Sequence, residues 1–129
     1  MKQFVLVIAG LLICLQAVAE SNTQYVKLTK GMVINYGEPS LNRLKYLKVA
    51  VDVRVPSAGA AELVEYHLPA LLDALVIVFT NSEDELIRSS GGKEEIRRQA
   101  LVKLKSVMSS EEGDEVIEDL LFSSFVVQR

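Results

Sequence analysis

The strongest pattern of apolar and polar positions lies in residues 63–108 and predicts two amphipathic helices. In each half, apolar side chains recur at spacings of three and four, which place them on one side of a helix that turns every ~3.6 residues. The first stripe consists of Leu68, Leu71, Leu72, Leu75, Val76 and Phe79. The second, after a polar break at residues 89–92, consists of Ile96, Ala100, Leu101, Leu104, Val107 and Met108. Both stripes need a surface that covers them.

The clearest candidate for that surface is a strand over residues 47–55. Branched apolar residues occupy every second position, whereas Lys48, Asp52 and Arg54 lie at alternate ones. A period of two gives a strand one buried face and one solvent-facing face. Pro56 closes the strand, and Ser57 is predicted to cap the helix that follows.

Two further strands are predicted at the ends of the domain. Val26 and Leu28 alternate with Tyr25 and Lys27, and a bend or bulge is expected at residues 30–31. In residues 115–129 neither alternation persists, so we expect a bulge within residues 120–123 or burial of both faces. The order strand, strand, helices, strand predicts an α+β domain, with a small three- to four-stranded sheet and amphipathic helices packed on one face.

Local signals set the expected helix boundaries. Pro69 disfavours helical geometry just before it, so the first helical segment is expected to break or restart there. Asp73 falls opposite the apolar stripe and is expected to be exposed. The acidic residues 83–85 are typical of the start of a short helix that ends near Arg88, and residues 109–114 are predicted as a polar turn.

Composition excludes several classes of protein. The 129 residues suit one domain, and the net charge of −3 without a basic stripe argues against a nucleic-acid surface. The single cysteine, Cys14, permits no intrachain disulfide and no thiolate metal site.

The N-terminal segment predicts export. Lys2 precedes an apolar run of the length of a signal-peptide core, and Ala17 and Ala19 supply the small residues of a cleavage site. Residues 1–19 are therefore interpreted as a signal peptide cleaved before Glu20, or alternatively as a short uncleaved anchor, and residues 20–129 as an exported domain. Lipid modification of Cys14 is less favoured because Ile13, rather than a small residue, precedes it.

No set of residues in the sequence predicts catalysis. His67 is the only histidine, and its expected state is a partly exposed residue at a helix break, with pH sensing as an alternative. Residues 90–93 lack the spacing of a phosphate-binding loop and are interpreted as a helix connection. We therefore predict no enzyme, no catalytic or metal-binding residue and no cofactor.

Four blocks of the sequence, taken in order, resemble the FliL family of flagellar basal-body proteins. The blocks are YVKLTKGMVINYG, RLKYLKVAVDVRV, the helical run from HLPALLDALVIVF through LIRSSGGKEE to LVKLKSV, and EDLLFSSFVVQ. Each block alone is a degenerate hydrophobic pattern. Their order across residues 25–128, with the LIRSSGGKEE junction and the closing FVVQ, is much more specific.

The resemblance implies a non-enzymatic periplasmic domain that is similar to the stomatin-type (SPFH-like) fold. Such domains form homo-oligomeric rings around the stator units and support rotation and motility, with stator and basal-body proteins as partners. Family members typically carry a cytoplasmic tail, a membrane helix and a linker, from which the short start of this sequence departs. An uncleaved segment would anchor the protein in the inner membrane, whereas a cleaved one would suit a FliL-like paralogue.

The expected partner or oligomer surface is the solvent-facing side of the central strand, with Tyr46, Lys48, Asp52 and Arg54. The alternative function is a periplasmic module that binds a small ligand or a lipid between the helices and the sheet. That alternative requires a cavity lined by the first apolar stripe.

Overall fold

The structure, a computed structural model, describes residues 22–37 and 44–128. Its strands are β1 (Gln24–Asn35), β2 (Tyr46–Val55) and β3 (Asp119–Gln128), and its helices, all between β2 and β3, are α1 (Ala58–Tyr66), α2 (Leu68–Thr80), α3 (Asp84–Arg88) and α4 (Gly92–Glu112). The predicted α+β class and element order are confirmed. The signal or anchor segment at residues 1–19 and part of the turn expected at residues 37–40 lie outside the described residues.

The three strands form one antiparallel sheet in the order β1-β2-β3, so β2 is central. The register of β1 on β2 shifts between Thr29 and Met32, where three steps on β1 match two on β2. This shift is the irregularity expected at residues 30–31. A further shift lies between Lys27 and Thr29.

The predicted irregularity in the last strand is a bulge at Ser123. Ala50 pairs with Ser124 and Val51 pairs with Phe122, which leaves Ser123 as the extra residue on β3. An extra residue reverses which parity faces the core. Even-numbered apolar residues face the helices before the bulge and odd-numbered ones after it, and this switch explains why neither alternation persists in the sequence.

The helices cover one face of the sheet, and their apolar stripes form the core with it. The largest fully buried side chains are Leu71, Leu75 and Phe79 from α2 and Ile96, Leu104 and Met108 from α4. They meet the alternate residues of β2 from Leu47 to Val55 within one cluster. Burial of this apolar area is the main stabilising contribution to the fold.

The break between α1 and α2 follows from Pro69. The helix α1 ends at Tyr66, α2 begins at Leu68, and the two axes are bent by 70°. At the start of α1, the backbone N–H of Ala60 donates to the Ser57 hydroxyl at 3.1 Å, which confirms the predicted cap.

Two details of the helical predictions are wrong. Val76 belongs to the predicted stripe but is 39% exposed, whereas Ala74 lies outside the stripe and is buried. The buried face of α2 is therefore turned toward Ala74 and away from Val76. The residues 109–112, predicted as a turn, continue α4 to Gly113, which ends the helix in the left-handed conformation with φ 76°. Polar residues can form a last exposed helical turn, and the glycine sets where it stops.

Among the described residues, no single helix is long and apolar enough to cross a membrane. The helices α1 and α2 satisfy the length and composition criteria together, but only as a bent pair.

Candidate contact surface on the open sheet face

The face of the sheet turned away from the helices, termed the open face, carries all four residues predicted as a contact surface. Tyr46, Lys48, Asp52 and Arg54 occupy alternate positions of β2 and therefore point to the same side. Because strands rise about 3.3 Å per residue, the row spans roughly 26 Å. Ala50, at its centre, is buried, so the structure brings the four together as two pairs at opposite ends of one face.

The flanking strands add apolar side chains to the open face. Val33 and Val126 lie opposite Lys48 on β1 and β3, and they are 61% and 43% exposed. Tyr25 lies opposite Arg54 and Leu121 lies opposite Asp52, with exposures of 59% and 42%. Exposed apolar side chains that share a face are a feature of interaction surfaces.

The sequence indicates the position of Tyr25 on this face but not the positions of the apolar members of β3. The alternation of Tyr25 and Lys27 with Val26 and Leu28 indicates the orientation of Tyr25. The orientations of Leu121 and Val126 depend on the bulge at Ser123, which the sequence located only to within a few residues.

Charges at the Arg54 end of the open face are paired with one another. Lys27 Nζ lies 3.3 Å from Asp52 Oδ1, and Arg54 Nε lies 3.2 Å from Glu118 Oε2. Arg54 Nη1 also lies 3.9 Å from Asp119 Oδ2. Solvent screens such exposed pairs, so each contributes little to stability, and their main effect is to fix the positions of these side chains.

The ion pairs continue from Asp119 to helix α4. Arg97 Nη1 donates to Asp119 Oδ1 at 2.7 Å and to the Leu120 carbonyl at 3.2 Å. The same guanidinium donates to both carboxylate oxygens of Glu94, at 2.9 and 2.6 Å. This bidentate bond raises the pKa of Arg97 and lowers the pKa of Glu94. The guanidinium therefore remains charged and links α4 to β3.

The Tyr46 end of the open face differs because its cation, Lys48, is paired with none of the described carboxylates. Within residues 22–37 and 44–128, no carboxylate lies within ion-pair distance of Lys48, whose stem crosses close to Gly31 in the β1 bulge. Tyr46 lies beside it, 36% exposed. Both ends of the open face expose a tyrosine and apolar side chains, and the Tyr46 end differs in a lysine that no described carboxylate neutralises, which can attract an acidic partner group.

The other candidate sites in the described part of the chain are a metal site, His67 and the junction at residues 90–93. No group of three or more His, Cys, Asp or Glu side chains there is arranged to hold a metal ion. His67 is half-buried at the helix break, and its Nε2 lies 2.5 Å from Glu112 Oε1. Gly92 is buried against α3, so the junction at residues 90–93 packs two helices together.

Open depressions on the described surface do not match the cavity required for a ligand between helices and sheet. Their volumes are about 420, 340, 640 and 480 Å³. None of these four is lined by the first apolar stripe; the second lies between Asp73 of α2 and Lys103 of α4, on the outside of the helices.

A model of the family described as flagellar basal body-associated protein FliL matches residues 25–128. The chain belongs to the FliL family. The matched residues begin one position inside β1 and end with β3, so this FliL domain comprises the whole sheet and its helices.

A curated relative is also similar to this FliL-family chain. Flagellar protein FliL of Aquifex aeolicus (strain VF5) is 22% identical over 102 residues, which cover 79% of this chain and 60% of that protein. The match therefore spans three fifths of the relative's length, and the roles of the whole relative pass to this chain only as proposals.

Proposed function

We propose that this chain is a non-enzymatic accessory protein of the flagellar basal body that self-associates around the stator units and supports rotation under load. The observation that carries the proposal is the match of the FliL family over residues 25–128. The proposal includes a periplasmic location for residues 20–129, with residues 1–19 as a cleaved signal or a short anchor. It also includes a similarity of this domain to the stomatin-type fold.

The open face supports a binding role rather than a catalytic one. It presents Tyr46 and Lys48 on a rigid central strand and lies opposite the helices that close the core. None of the four depressions on the described surface is lined by Tyr46 or Lys48. This end of the face therefore offers no concave pocket of the kind in which substrates are usually bound, but it suits contact with another protein.

Assembly into a ring requires a head-to-tail contact between two different surfaces of the domain. In our proposal, the open face supplies one of the two surfaces of this contact or docks the stator. Lys48, which pairs with no carboxylate among the described residues, would then face an acidic partner group, because like charges across an interface are unfavourable.

The proposal is tested by deletion of the gene and restoration from a plasmid. We expect the deleted cells to assemble filaments but to swim or swarm poorly, with the largest loss in viscous medium, where each motor needs more torque. Restored expression should return motility. Deleted cells that swim normally at high load would contradict the proposal.

Residues 1–19 need a separate measurement. N-terminal sequencing of the protein recovered from fractionated cells should give a sequence that begins at Glu20 if the segment is cleaved. A sequence that begins at residue 1, recovered with the inner membrane, would indicate the anchor. Recovery from the cytoplasm would contradict export.

A further inference from the structure

The two outer strands of the sheet differ in how their free edges are protected. On β1, the edge is interrupted by two register shifts and carries Lys27 and Lys30. Such bulges and lysines are the usual means by which proteins prevent an edge from pairing with another strand. The ten residues of β3 contain one bulge, at Ser123, and one charge, Asp119, at the beginning of the strand, so the edge on either side of the bulge carries no lysine.

The core is also less complete beside β3 than elsewhere. Phe122, Phe125 and Val127 face the helices but remain half-exposed, whereas every inward residue of β2 is buried. The rings of Phe122 and Phe125 lie 5.2 Å apart, and Lys93 Nζ lies 5.8 Å from the centroid of Phe125. An additional strand on this edge would cover the aromatic pair.

The sequence of β3 is complementary to itself when it is read in the opposite direction. Reversal about the point between Ser123 and Ser124 sets Phe122 against Phe125, Leu121 against Val126, and Leu120 against Val127. In a regular strand such a reversal pairs even positions with odd ones and would set inward side chains against outward ones.

The bulge at Ser123 removes this conflict. Because it switches the inward parity from even to odd, Phe122 and Phe125 both face the helices, while Leu121 and Val126 both lie on the open face. Reversal therefore matches each face with itself. It also sets the two bulges opposite each other, so that both strands gain one residue at the same place.

We propose that β3 pairs with β3 of a second copy of this chain, antiparallel, around a two-fold axis between Ser123 and Ser124. The contact joins two three-stranded sheets into one of six strands, with the helices of both copies on the same side. Within the paired strands no like charges are opposed, since the only charged residue of β3, Asp119, lies opposite Gln128.

The existing hydrogen bonds of Leu120 define where the contact ends. Its N–H donates to Asp119 Oδ1 at 2.8 Å, and its carbonyl accepts from Arg97 at 3.2 Å. The backbone N–H and carbonyl of Leu120 are thus already bonded to side chains of the same copy. The proposed pairing with a second strand is therefore centred on the segment from Leu121 to Val126.

This contact goes beyond the proposed function and does not depend on it. A two-fold contact is closed and joins two copies only, whereas a ring needs a second, head-to-tail surface. Leu121 and Val126 also belong to the open face, so the two proposals are separated by Lys48→Glu, which should abolish motor binding and leave the dimer intact.

Cysteine cross-linking tests the register. In the full chain in detergent, with Cys14→Ser as background, the double variant Leu121→Cys, Val126→Cys should form a disulfide-linked dimer on oxidation. In this register Leu121 and Val126 of the partner form a directly opposed pair, with Cα atoms about 4.5 Å apart in a non-hydrogen-bonded pair, which suits a disulfide.

The single variants are matched controls. Two copies of Leu121 are five positions apart in this register, roughly 17 Å, so Leu121→Cys or Val126→Cys alone should remain monomeric on a non-reducing gel. Val33→Cys, exposed on the other outer strand, should also remain monomeric. Equal dimer formation by the single and double variants, or none by the double variant, would overturn the proposal.

Charge variants give a second measurement that does not depend on oxidation. Leu121→Lys with Val126→Lys places like charges across the axis and should convert the dimer mass to the monomer mass in light scattering. Leu121→Lys with Val126→Glu places opposite charges there and should retain the dimer. Circular dichroism shows whether each variant is folded, and a folded Lys/Lys variant that stays dimeric would overturn the proposal.

Discussion

The two faces of strand β2 have opposite roles although they share one backbone. On the inner face, Leu47, Val49, Val51, Val53 and Val55 are fully buried beneath the helices. On the outer face, Tyr46 and Lys48 are exposed, and Asp52 and Arg54 are half-buried in ion pairs. Substitutions on the inner face should therefore alter stability, whereas substitutions on the outer face should alter binding.

The largest expected effect lies on the packed side, in helix α2. Leu75→Ala removes a fully buried side chain and should lower the free energy of unfolding by about 2–5 kcal/mol. The chain neighbour Val76 is 39% exposed, so Val76→Ala should change it by less than about 0.5 kcal/mol. Urea unfolding followed by circular dichroism measures both, and equal losses would show that the helix is rotated from its described position.

The second-largest effect on stability is expected at Gly91 and Gly92, where helix α4 begins. A Cβ on Gly92 would lie 1.5 Å from the Leu86 carbonyl oxygen, whereas one on Gly91 would meet nothing within 4 Å. Gly92→Ala should therefore cost about 1–3 kcal/mol, as overpacking does. Gly91→Ala should be neutral or stabilise by up to about 1 kcal/mol, because it restricts the unfolded chain. If thermal unfolding showed a larger loss of stability for Gly91→Ala than for Gly92→Ala, it would contradict the described packing of Gly92 against Leu86.

A smaller effect should appear in the pH dependence of stability. The Arg97 hydrogen bond lowers the pKa of Glu94 below its ordinary value of 4.5. A carboxylate with a lowered folded-state pKa stabilises the protein above the unfolded value, and this contribution disappears as the pH falls below about 4.5.

Glu94→Gln should therefore reduce stability slightly at pH 7 and not at pH 2. High salt should reduce the difference, because the pair is exposed. Thermal unfolding at both pH values measures it. An equal loss at both would assign the effect of the substitution to packing rather than to charge.

The smallest expected effect is on the open face. Lys48→Glu should leave the free energy of unfolding within about 0.5 kcal/mol of the parent chain, and so should Lys103→Glu on the exposed side of α4. Both lysines are exposed, and neither forms an ion pair with another described residue. A destabilising Lys48→Glu would show that the outer face contributes to folding.

Much of the fold could be predicted because local patterns and tertiary packing agree. The period-two run of β2, the Ser57 cap and the break at Pro69 each depend on near neighbours, and the structure confirms all three. The predicted end of α4 was wrong because polar residues such as those at 109–112 are common both in turns and in the last exposed turn of a helix. Only Gly113, with its positive φ, decides between them.

The contact surface was harder to predict because it depends on three strands. Tyr46 and Lys48 follow from the alternation of β2 alone. Val33 and Val126 become their neighbours only through the register, which bulges on β1 and β3 shift. The pairing of Arg54 with Glu118, and of Arg97 with Asp119, likewise joins residues far apart in the chain.

The most direct test of the division between the two faces compares Lys48→Glu with Lys103→Glu in cells that lack the native gene. Both proteins should accumulate to equal levels, since both remain folded. We expect the Lys103→Glu protein to restore swimming in viscous medium and the Lys48→Glu protein to fail. Full restoration by the Lys48→Glu protein would contradict the assignment of the open face as the surface that binds the motor.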